Sequence, residues 1–307
     1  MLASVIRPPR LQAGDLVRVV AASGPIPSEA FAAGAARWCE RFRLDYDPEV
    51  LFAAEGFLAG SDRARLAALI AAIRDPEAKA VVLGRGGYGL LRIVATMSPT
   101  LLRDHAKPVI GFSDGTILLA LAARSGVAAV HGPVVTQLGR LSDEDRSALF
   151  ALLESTEPQA LCAGLGELRP GRAVGPLLGG NLECLSRLLG TPYLPDLDGA
   201  LLFLEEVGER PYRIDRLLTH LELAGVFARV AGVVVGDLVA CDEPAGARWP
   251  SPTAEAVVAE RLGRLAIPVA IGAPIGHGSR NRALPYGARA ELDTKAGTLN
   301  ALEAVVS

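Results

Sequence analysis

Short apolar runs alternate with amphipathic stretches through the first half of the chain. The runs predict buried strands at residues 16–20, 80–83, 108–110 and 127–131. The stretches between and after them carry apolar residues at helical spacing and predict helices at residues 28–42, 62–73, 117–122 and 143–153. Strands that alternate with helices are typical of a doubly wound parallel sheet, in which ligands bind beyond the carboxyl ends of the strands.

The second half resumes the α/β pattern after an interruption. Residues 156–174 are rich in proline and glycine and show little periodicity, so we interpret them as a linker. The pattern beyond them predicts strands at 200–206, 231–235 and 267–271, a helix at 212–223, and a C-terminal hairpin at 288–293 and 298–306. We therefore expect an N-terminal doubly wound domain over residues 1–155 and a second α/β domain over residues 175–307.

The predicted strand at 108–110 runs into Gly111-Phe112-Ser113-Asp114-Gly115, the G-x-S-x-G pattern of a nucleophile elbow. Small residues flank the serine because a sharp strand-to-helix turn holds it in a strained backbone conformation. The turn lifts the serine hydroxyl clear of the sheet and directs the helix N-terminus toward developing negative charge. The alternative is that Ser113 only caps the following helix, with Asp114 as a favourable first-turn acid.

A second glycine-rich turn follows the predicted strand at 80–83. Gly84, Gly86 and Gly89 spell G-x-G-x-x-G between a strand and a helix, which by itself suggests a dinucleotide site. The motif does not follow the first strand, however, and no acid ends the next strand at the position that would bind a ribose. We therefore favour the turn as a donor of backbone N–H groups, because glycine lets another group approach the main chain closely.

A serine nucleophile needs a base, and the chain has four histidines. His277 lies between two glycines just after a predicted strand, which suggests a side chain presented to a site; an exposed turn histidine is the alternative. His131 ends a predicted strand in the first half and is the competing candidate. A base must also be oriented by a third group, and Glu205 and Glu206 end another predicted strand.

Composition narrows the range of functions. Half of the residues are hydrophobic, and the net charge of −3 gives no electrostatic case for nucleic acid or an anionic membrane surface. The four cysteines form no C-x-x-C pair, so we expect reduced thiols, no metal site and a cytoplasmic protein. Residues 1–10 lack the apolar segment of a signal peptide, and no run reaches the length of a membrane span.

Six short stretches, taken together and in order, are more specific than any one glycine pattern. They are Arg85-Gly86-Gly87-Tyr88-Gly89, Ile110-Gly111-Phe112-Ser113-Asp114, His131-Gly132-Pro133, Gly179-Gly180-Asn181-Leu182, Leu202-Phe203-Leu204-Glu205-Glu206 and Gly276-His277-Gly278. In this order the chain resembles the LD-carboxypeptidase family, which includes murein tetrapeptide LD-carboxypeptidases and microcin C immunity peptidases. The resemblance covers most of the chain. It implies a flavodoxin-like N-terminal domain, a smaller C-terminal α/β domain and no cofactor.

Carried over position by position, the resemblance implies a catalytic triad assembled across the cleft between the two domains. Ser113 is then the nucleophile, His277 is the base, and Glu205 orients that base. The same resemblance implies an oxyanion hole formed by backbone N–H groups, those of Gly87 and Asp114. The tandem glutamate in this chain replaces the Glu-Asp pair that is common in the family.

Other site positions are less specific. An exopeptidase must hold the free carboxylate of its substrate, and Arg85, beside the glycine turn, is one candidate; a structural salt bridge is the alternative. We also expect Gly86, His131 and Asn181, which lie in the matching stretches, to line the substrate site. Glu206 stays open as an alternative to its neighbour, because both faces of its strand are apolar and alternation does not decide between them.

The activity that the resemblance implies is hydrolysis of an L,D-peptide bond, with release of the terminal D-alanine from murein tetrapeptides in peptidoglycan recycling. The partner is then a small peptide, with no nucleic acid polymer and no membrane involved, and the resemblance suggests a homodimer. The alternatives are an immunity peptidase acting on microcin C-type peptidyl-nucleotide antibiotics, an α/β-hydrolase esterase, and a non-catalytic nucleotide-binding module. The esterase would share the elbow and the triad order, but the chain has no HGGG-type loop.

Overall fold

The structure is a computed structural model that describes residues 5–98, 100–246 and 250–307. Residues 1–4, part of the segment predicted not to be a signal peptide, lie outside the described residues. The strands are β1 (Leu16–Val20), β2 (Arg43–Asp45), β3 (Ala80–Leu83), β4 (Val109–Gly111), β5 (Ala129–His131), β6 (Ala160–Ala163), β7 (Gly166–Arg169), β8 (Arg172–Asn181), β9 (Leu201–Val207), β10 (Gly232–Val239), β11 (Val269–Ile271), β12 (Leu284–Tyr286), β13 (Arg289–Asp293) and β14 (Thr298–Ala301).

Helices occupy most of the connections between these strands. They are α1 (Ser28–Trp38), α2 (Pro48–Leu51), α3 (Asp62–Arg74), α4 (Leu90–Ile93), α5 (Leu101–Asp104), α6 (Thr116–Arg124), α7 (Val135–Leu138), α8 (Asp143–Glu154), α9 (Leu182–Ser186), α10 (Pro211–Leu223), α11 (Val226–Arg229) and α12 (Ala254–Leu262), with 3₁₀ turns at Val94–Thr96 and Ser113–Gly115. Over the described part of the chain, none of them combines the length and apolar character needed to cross a bilayer.

The first sheet contains the strands predicted in the N-terminal half. Its order is β12-β5-β4-β3-β1-β2, with β1 to β5 parallel and β12 antiparallel at the edge. The parallel part has the flavodoxin-like order 2-1-3-4-5. β3 and β4 are buried along their whole length, as expected for strands covered by helices on both faces. The predicted doubly wound fold is confirmed.

The second sheet confirms the predicted second α/β unit. Four central strands, β8 to β11, run parallel, and β7, β13, β14 and β6 extend the sheet on both sides with antiparallel pairing. β9 is buried from Leu201 to Glu206, so this strand carries two carboxylates into the interior. Buried charges need partners, and those of β9 belong to the site described below.

Two connections differ from the prediction. Residues 156–174, interpreted as a linker, contain β6, β7 and the first residues of β8, so this interpretation is wrong for the strand residues. Gly164 and Gly171 lie between these strands at φ values of 74° and 146°, and strands of four residues between such turns are too short to show a period. β12, from the second half, pairs with β5 in the first sheet. The domain limits stay a prediction.

The two sheets meet at the N-terminus of α6. A Cβ atom on Gly180 would lie 2.4 Å from the hydroxyl oxygen of Thr116, the first residue of that helix, so the close approach requires glycine. The same hydroxyl accepts a hydrogen bond from the backbone N–H of Asn181 at 3.1 Å. This contact brings the carboxyl end of β8, and that of its parallel neighbour β9, against the turn that follows β4.

Candidate active site

Ser113 lies in a sharp turn between β4 and α6. Its φ is +60°, in the left-handed region that residues with a side chain rarely adopt. The strained backbone predicted for a nucleophile elbow is therefore confirmed. The interpretation of Ser113 as the helix cap is wrong, because Gly115 occupies the N-cap position of α6. The half-buried serine side chain stands at the carboxyl end of β4.

The second glycine-rich turn lies directly on Ser113. A Cβ atom on Gly86 would be 2.7 Å from the Ser113 Cβ and 3.0 Å from its Oγ, so a side chain at position 86 would displace the serine. Gly87 follows with φ +108°. Within the described residues, the backbone N–H groups of Gly87 and Asp114 donate to no acceptor. The turn therefore leaves two main-chain donors uncommitted on either side of the serine.

His277 links Ser113 to a carboxylate of the second sheet. It lies in the connection between β11 and β12, and its Nε2 is 3.2 Å from the Ser113 Oγ. Its Nδ1 is 2.8 Å from the Glu205 Oε2, and this carboxylate is completely buried. A carboxylate only accepts hydrogen bonds, so it fixes the imidazole tautomer with the proton on Nδ1 and leaves Nε2 to accept from the serine hydroxyl.

The structure separates the two adjacent glutamates. Glu206 does not contact His277; its carboxylate accepts hydrogen bonds from the Asn181 side-chain amide at 2.9 Å, the Glu183 N–H at 2.8 Å and the Val207 N–H at 2.7 Å. Burial raises the pKa of Glu206 to about 7, and these donors oppose that rise. Of the two alternatives, the structure therefore places Glu205 beside the histidine and Glu206 at the start of α9.

Two residues expected to line the substrate site lie elsewhere. His131 is fully buried between the Phe112 and Phe203 rings, with centroid distances of 5.4 and 4.7 Å. Neither of its ring nitrogens has a partner among the described residues, and burial lowers its pKa to about 3. The Asn181 side chain caps α9, accepting from the Cys184 N–H at 3.0 Å. Both expectations are wrong, because these polar groups lie inside the fold.

Asp114 and Arg85 differ in how their side chains are used. The Asp114 carboxylate is buried, which raises its pKa, and it accepts from the Ser23 hydroxyl at 2.6 Å and the Leu90 N–H at 2.9 Å. It thereby fastens the elbow to the end of the glycine turn. The Arg85 guanidinium donates to the Pro25 carbonyl. It forms an ion pair with no carboxylate of the described residues, so no acidic side chain neutralises its charge.

The connection that carries His277 is held by three residues that no sequence pattern predicted. Gln137 and Asn281 hydrogen-bond the main chain of Gly276, and the Asp237 carboxylate accepts from the Gly278 N–H at 3.1 Å. No local motif marks these positions: Gln137 and Asp237 contact the loop from elsewhere in the chain, and Asn281 lies within the loop itself. Across the described residues, no group of three His, Cys, Asp or Glu side chains is arranged to bind a metal ion.

Comparison with known proteins places this geometry in a family. Residues 17–132 match the N-terminal domain of the LD-carboxypeptidases, and residues 174–292 match their C-terminal domain. The chain belongs to the LD-carboxypeptidase family. As a member of this family of peptidases it is an enzyme, and the resemblance drawn from its six motifs is confirmed.

Similar members of the LD-carboxypeptidase family match over nearly the whole chain. A putative carboxypeptidase of Synechocystis is 38% identical, with 97% of each chain covered. A probable murein peptide carboxypeptidase of Bacillus subtilis is 37% identical, covering 98% of this chain and 95% of the relative. The murein tetrapeptide carboxypeptidase of Pseudomonas aeruginosa is 34% identical, covering 77% and 80%.

Solved structures show the same two-sheet fold. The muramoyltetrapeptide carboxypeptidase of Oxalobacter formigenes superposes with a TM-score of 0.79 at 26% identity, covering 93% of this chain and 97% of the other. The microcin self immunity protein MccF superposes with a TM-score of 0.88 at 20% identity, covering 98% and 100%. At that identity the likeness to MccF concerns the fold alone.

Proposed function

We propose that this LD-carboxypeptidase is a serine peptidase that releases the terminal D-alanine from murein tetrapeptides. The observation that carries the proposal is the chain of contacts from Ser113 to His277 at 3.2 Å and from His277 to Glu205 at 2.8 Å. The names of the Bacillus and Pseudomonas relatives, which refer to murein peptides, support this substrate class. A cytoplasmic site of action in peptidoglycan recycling and a homodimeric assembly belong to the same proposal.

The proposed reaction is acyl transfer in two steps. Ser113 attacks the carbonyl carbon between the L-configured centre and the terminal D-residue, while His277 Nε2 takes the hydroxyl proton. The tetrahedral intermediate collapses, the amide C–N bond breaks, and His277 returns the proton to the departing amine. Water then hydrolyses the ester with His277 again as base, while the Glu205 carboxylate stabilises the imidazolium in each step.

The negative charge that develops on the carbonyl oxygen needs hydrogen-bond donors. We assign this role to the uncommitted backbone N–H groups of Gly87 and Asp114. Glycine at 86 keeps the first of them close to the nucleophile, and the Asp114 carboxylate holds the second segment in place through Ser23. Removal of one preorganised donor from an oxyanion hole costs about 2.7–4 kcal/mol of transition-state stabilisation, which gives the scale of this effect.

A direct test is incubation with a murein tetrapeptide, followed by mass spectrometry for the tripeptide and free D-alanine. A second sample receives aspartyl sulfamoyl adenosine, the kind of ligand that has been solved in complex with MccF. Cleavage of the tetrapeptide alone supports the proposal; cleavage of the nucleotide analogue alone favours an immunity peptidase. An ester substrate and its amide counterpart, compared side by side, separate the peptidase from an esterase.

Arg85 is proposed to bind the free carboxylate of the substrate, and Arg85→Met is expected to raise KM for the tetrapeptide about 10- to 100-fold with little change in kcat. The loss of a charge-assisted hydrogen bond, about 1.5–3 kcal/mol, accounts for this range. Steady-state kinetics measure it, with Arg92→Met as control because Arg92 forms an ion pair with Asp62 instead. An equal KM increase for a tetrapeptide amide would exclude carboxylate binding.

Dialysis against EDTA is expected to leave kcat unchanged, because every step proposed above uses side chains and main-chain donors of this chain. The measurement is tetrapeptide turnover before and after dialysis, and again after zinc is added back. Activity that is lost to the chelator and restored by zinc would contradict the serine mechanism.

A further inference from the structure

The connection that carries His277 contains a closed ring of three hydrogen bonds. The backbone N–H of Gly276 donates to the Asn281 Oδ1 at 3.2 Å, and the Asn281 Nδ2 donates to the Gln137 Oε1 at 2.8 Å. The Gln137 Nε2 returns to the Gly276 carbonyl at 3.0 Å. The ring satisfies both main-chain polar groups of Gly276. It also fixes both side-chain amide orientations, since flipping either one would place two donors or two acceptors against each other.

The ring is buried, so the loss of any of its hydrogen bonds is expected to be costly in free energy. Asn281 is completely buried and Gln137 is 5% exposed. Water therefore does not replace a bond that is removed, and each buried group left without a partner costs about 1–3 kcal/mol. The nearby bonds from the Arg140 guanidinium to the His277 and Gly278 carbonyls, at 3.2 and 2.8 Å, are exposed by comparison, so they hold the loop less firmly.

Gly276 is the residue whose position matters most for the imidazole. It directly precedes His277, and a Cβ atom on it would lie 3.1 Å from the Glu205 Oε2, the oxygen that contacts the histidine Nδ1. Its φ of +141° and this close approach both require glycine. A shift of the Gly276 main chain would therefore move the imidazole relative to the carboxylate and the serine together.

The ring also joins the two parts of the catalytic site. Gln137 lies on α7, which follows β5 of the first sheet, the sheet whose β4 leads into Ser113. Gly276 and Asn281 lie in the connection between β11 and β12. The ring thus fixes the distance between α7, which follows a strand of the sheet that leads into Ser113, and the loop that carries His277.

We propose that Gln137 and Asn281 are positioning residues, which hold His277 at hydrogen-bonding distance from Ser113 by fixing the main chain of Gly276. This role rests on the proposed serine mechanism for its chemistry. Neither residue touches the substrate in this proposal; they act only through the loop. A displacement of about 1 Å between a nucleophile and its base costs about 100-fold in rate.

Gln137→Met removes both amide functions at similar volume, and we expect kcat to fall about 10- to 100-fold with KM changed much less. The rate at which a fluorophosphonate labels Ser113 is expected to fall by a similar factor, because labelling needs the same serine–histidine contact but no peptide substrate. Thr294→Val is the matched control. Its buried hydroxyl donates to the Glu167 carboxylate at 2.8 Å and accepts from the Gly171 N–H at 2.9 Å, within the second sheet. This control is expected to lower thermal stability without changing kcat.

Gln137→Glu gives a second readout that a purely structural role would not produce. At position 137 burial and the facing Gly276 carbonyl, which is an acceptor, both favour the protonated form of a carboxyl group, so this group is expected to donate to the carbonyl as the amide does and to retain activity. When the pH rises and the group ionises, that donor is lost, and kcat is expected to fall at a lower pH than in the wild type. This variant also covers the case in which Gln137→Met fails to fold.

The two proposals fail in different ways. If the wild type is labelled by the fluorophosphonate but does not cleave the tetrapeptide, the proposed substrate is wrong. The labelling rates of the wild type and the Gln137→Met variant then still test the positioning role. If Gln137→Met folds and is labelled at the wild-type rate, or if Gln137→Glu keeps the wild-type pH profile, the positioning role is overturned. A Thr294→Val variant that loses kcat as strongly as Gln137→Met would also overturn it.

Discussion

Ser113→Ala is expected to lower kcat about 10³- to 10⁶-fold without loss of the fold, since it removes the hydroxyl that we propose attacks the substrate and retains the turn that holds this residue. Tetrapeptide turnover, fluorophosphonate labelling and thermal unfolding measure the three consequences. Ser142→Ala provides a control serine variant. That hydroxyl caps α8 by accepting from the Asp145 N–H at 3.2 Å, so its removal costs stability and leaves turnover unchanged.

Ser113→Gly extends this test to the strained backbone. The serine is held at φ +60°, a conformation that costs an L-residue about 1–2 kcal/mol and costs glycine nothing. The glycine variant is therefore expected to be as inactive as the alanine variant but to unfold at a higher temperature than the alanine variant does. Turnover close to that of the wild type in either variant would remove Ser113 from the mechanism.

His277→Ala is expected to abolish most turnover, whereas His131→Ala is expected to act mainly on stability. His277 contacts both Ser113 and Glu205, so its removal leaves the serine without a base. His131 contacts neither of them by a hydrogen bond and is buried among aromatic rings, so its truncation leaves a cavity. Glu205→Gln is expected to reduce turnover by weakening the stabilisation of the imidazolium.

The comparison is made by kcat after circular dichroism confirms that each histidine variant is folded. Acidification gives a further expectation for His131. Because the pKa of folded His131 is lowered to about 3, the unfolded chain binds a proton near its ordinary pKa that the folded chain does not. His131 therefore costs stability as the pH falls below about 6.5. An inactive His131→Ala with an active His277→Ala would contradict the proposed triad.

Local sequence patterns were sufficient to predict the features that depend on adjacent residues. The elbow at Ser113 and the glycine turn at Gly86 each depend on a few adjacent residues, and both could be predicted. The proposed roles of Glu205 and His277 rest on flanking glycines, a strand end and the family resemblance, and the contacts in the structure support them. The alternation of polar and apolar residues along β9 could not show which of Glu205 and Glu206 faces the histidine, because both faces of this strand are buried.

The features that could not be predicted depend on contacts between distant residues. Gln137 and Asn281 are 144 positions apart, and nothing adjacent to either one marks it. His131 and Asn181 stand in family motifs, yet a motif does not show whether a polar side chain faces a cleft or the interior. In this fold the Asn181 side chain donates to Glu206 and caps α9, and His131 packs against Phe203.

The placement of β12 limits how the two halves of the molecule can move. The chain passes from the first sheet to the second after α8, returns at β12 to pair with β5, and passes again to β13. Three covalent crossings, one of them anchored by a strand ladder, leave far fewer modes of rigid-body motion than a single hinge does. We therefore expect substrate entry to depend on the movement of loops rather than on opening between the two sheets, and an excised N-terminal half would expose β5 as an unprotected sheet edge.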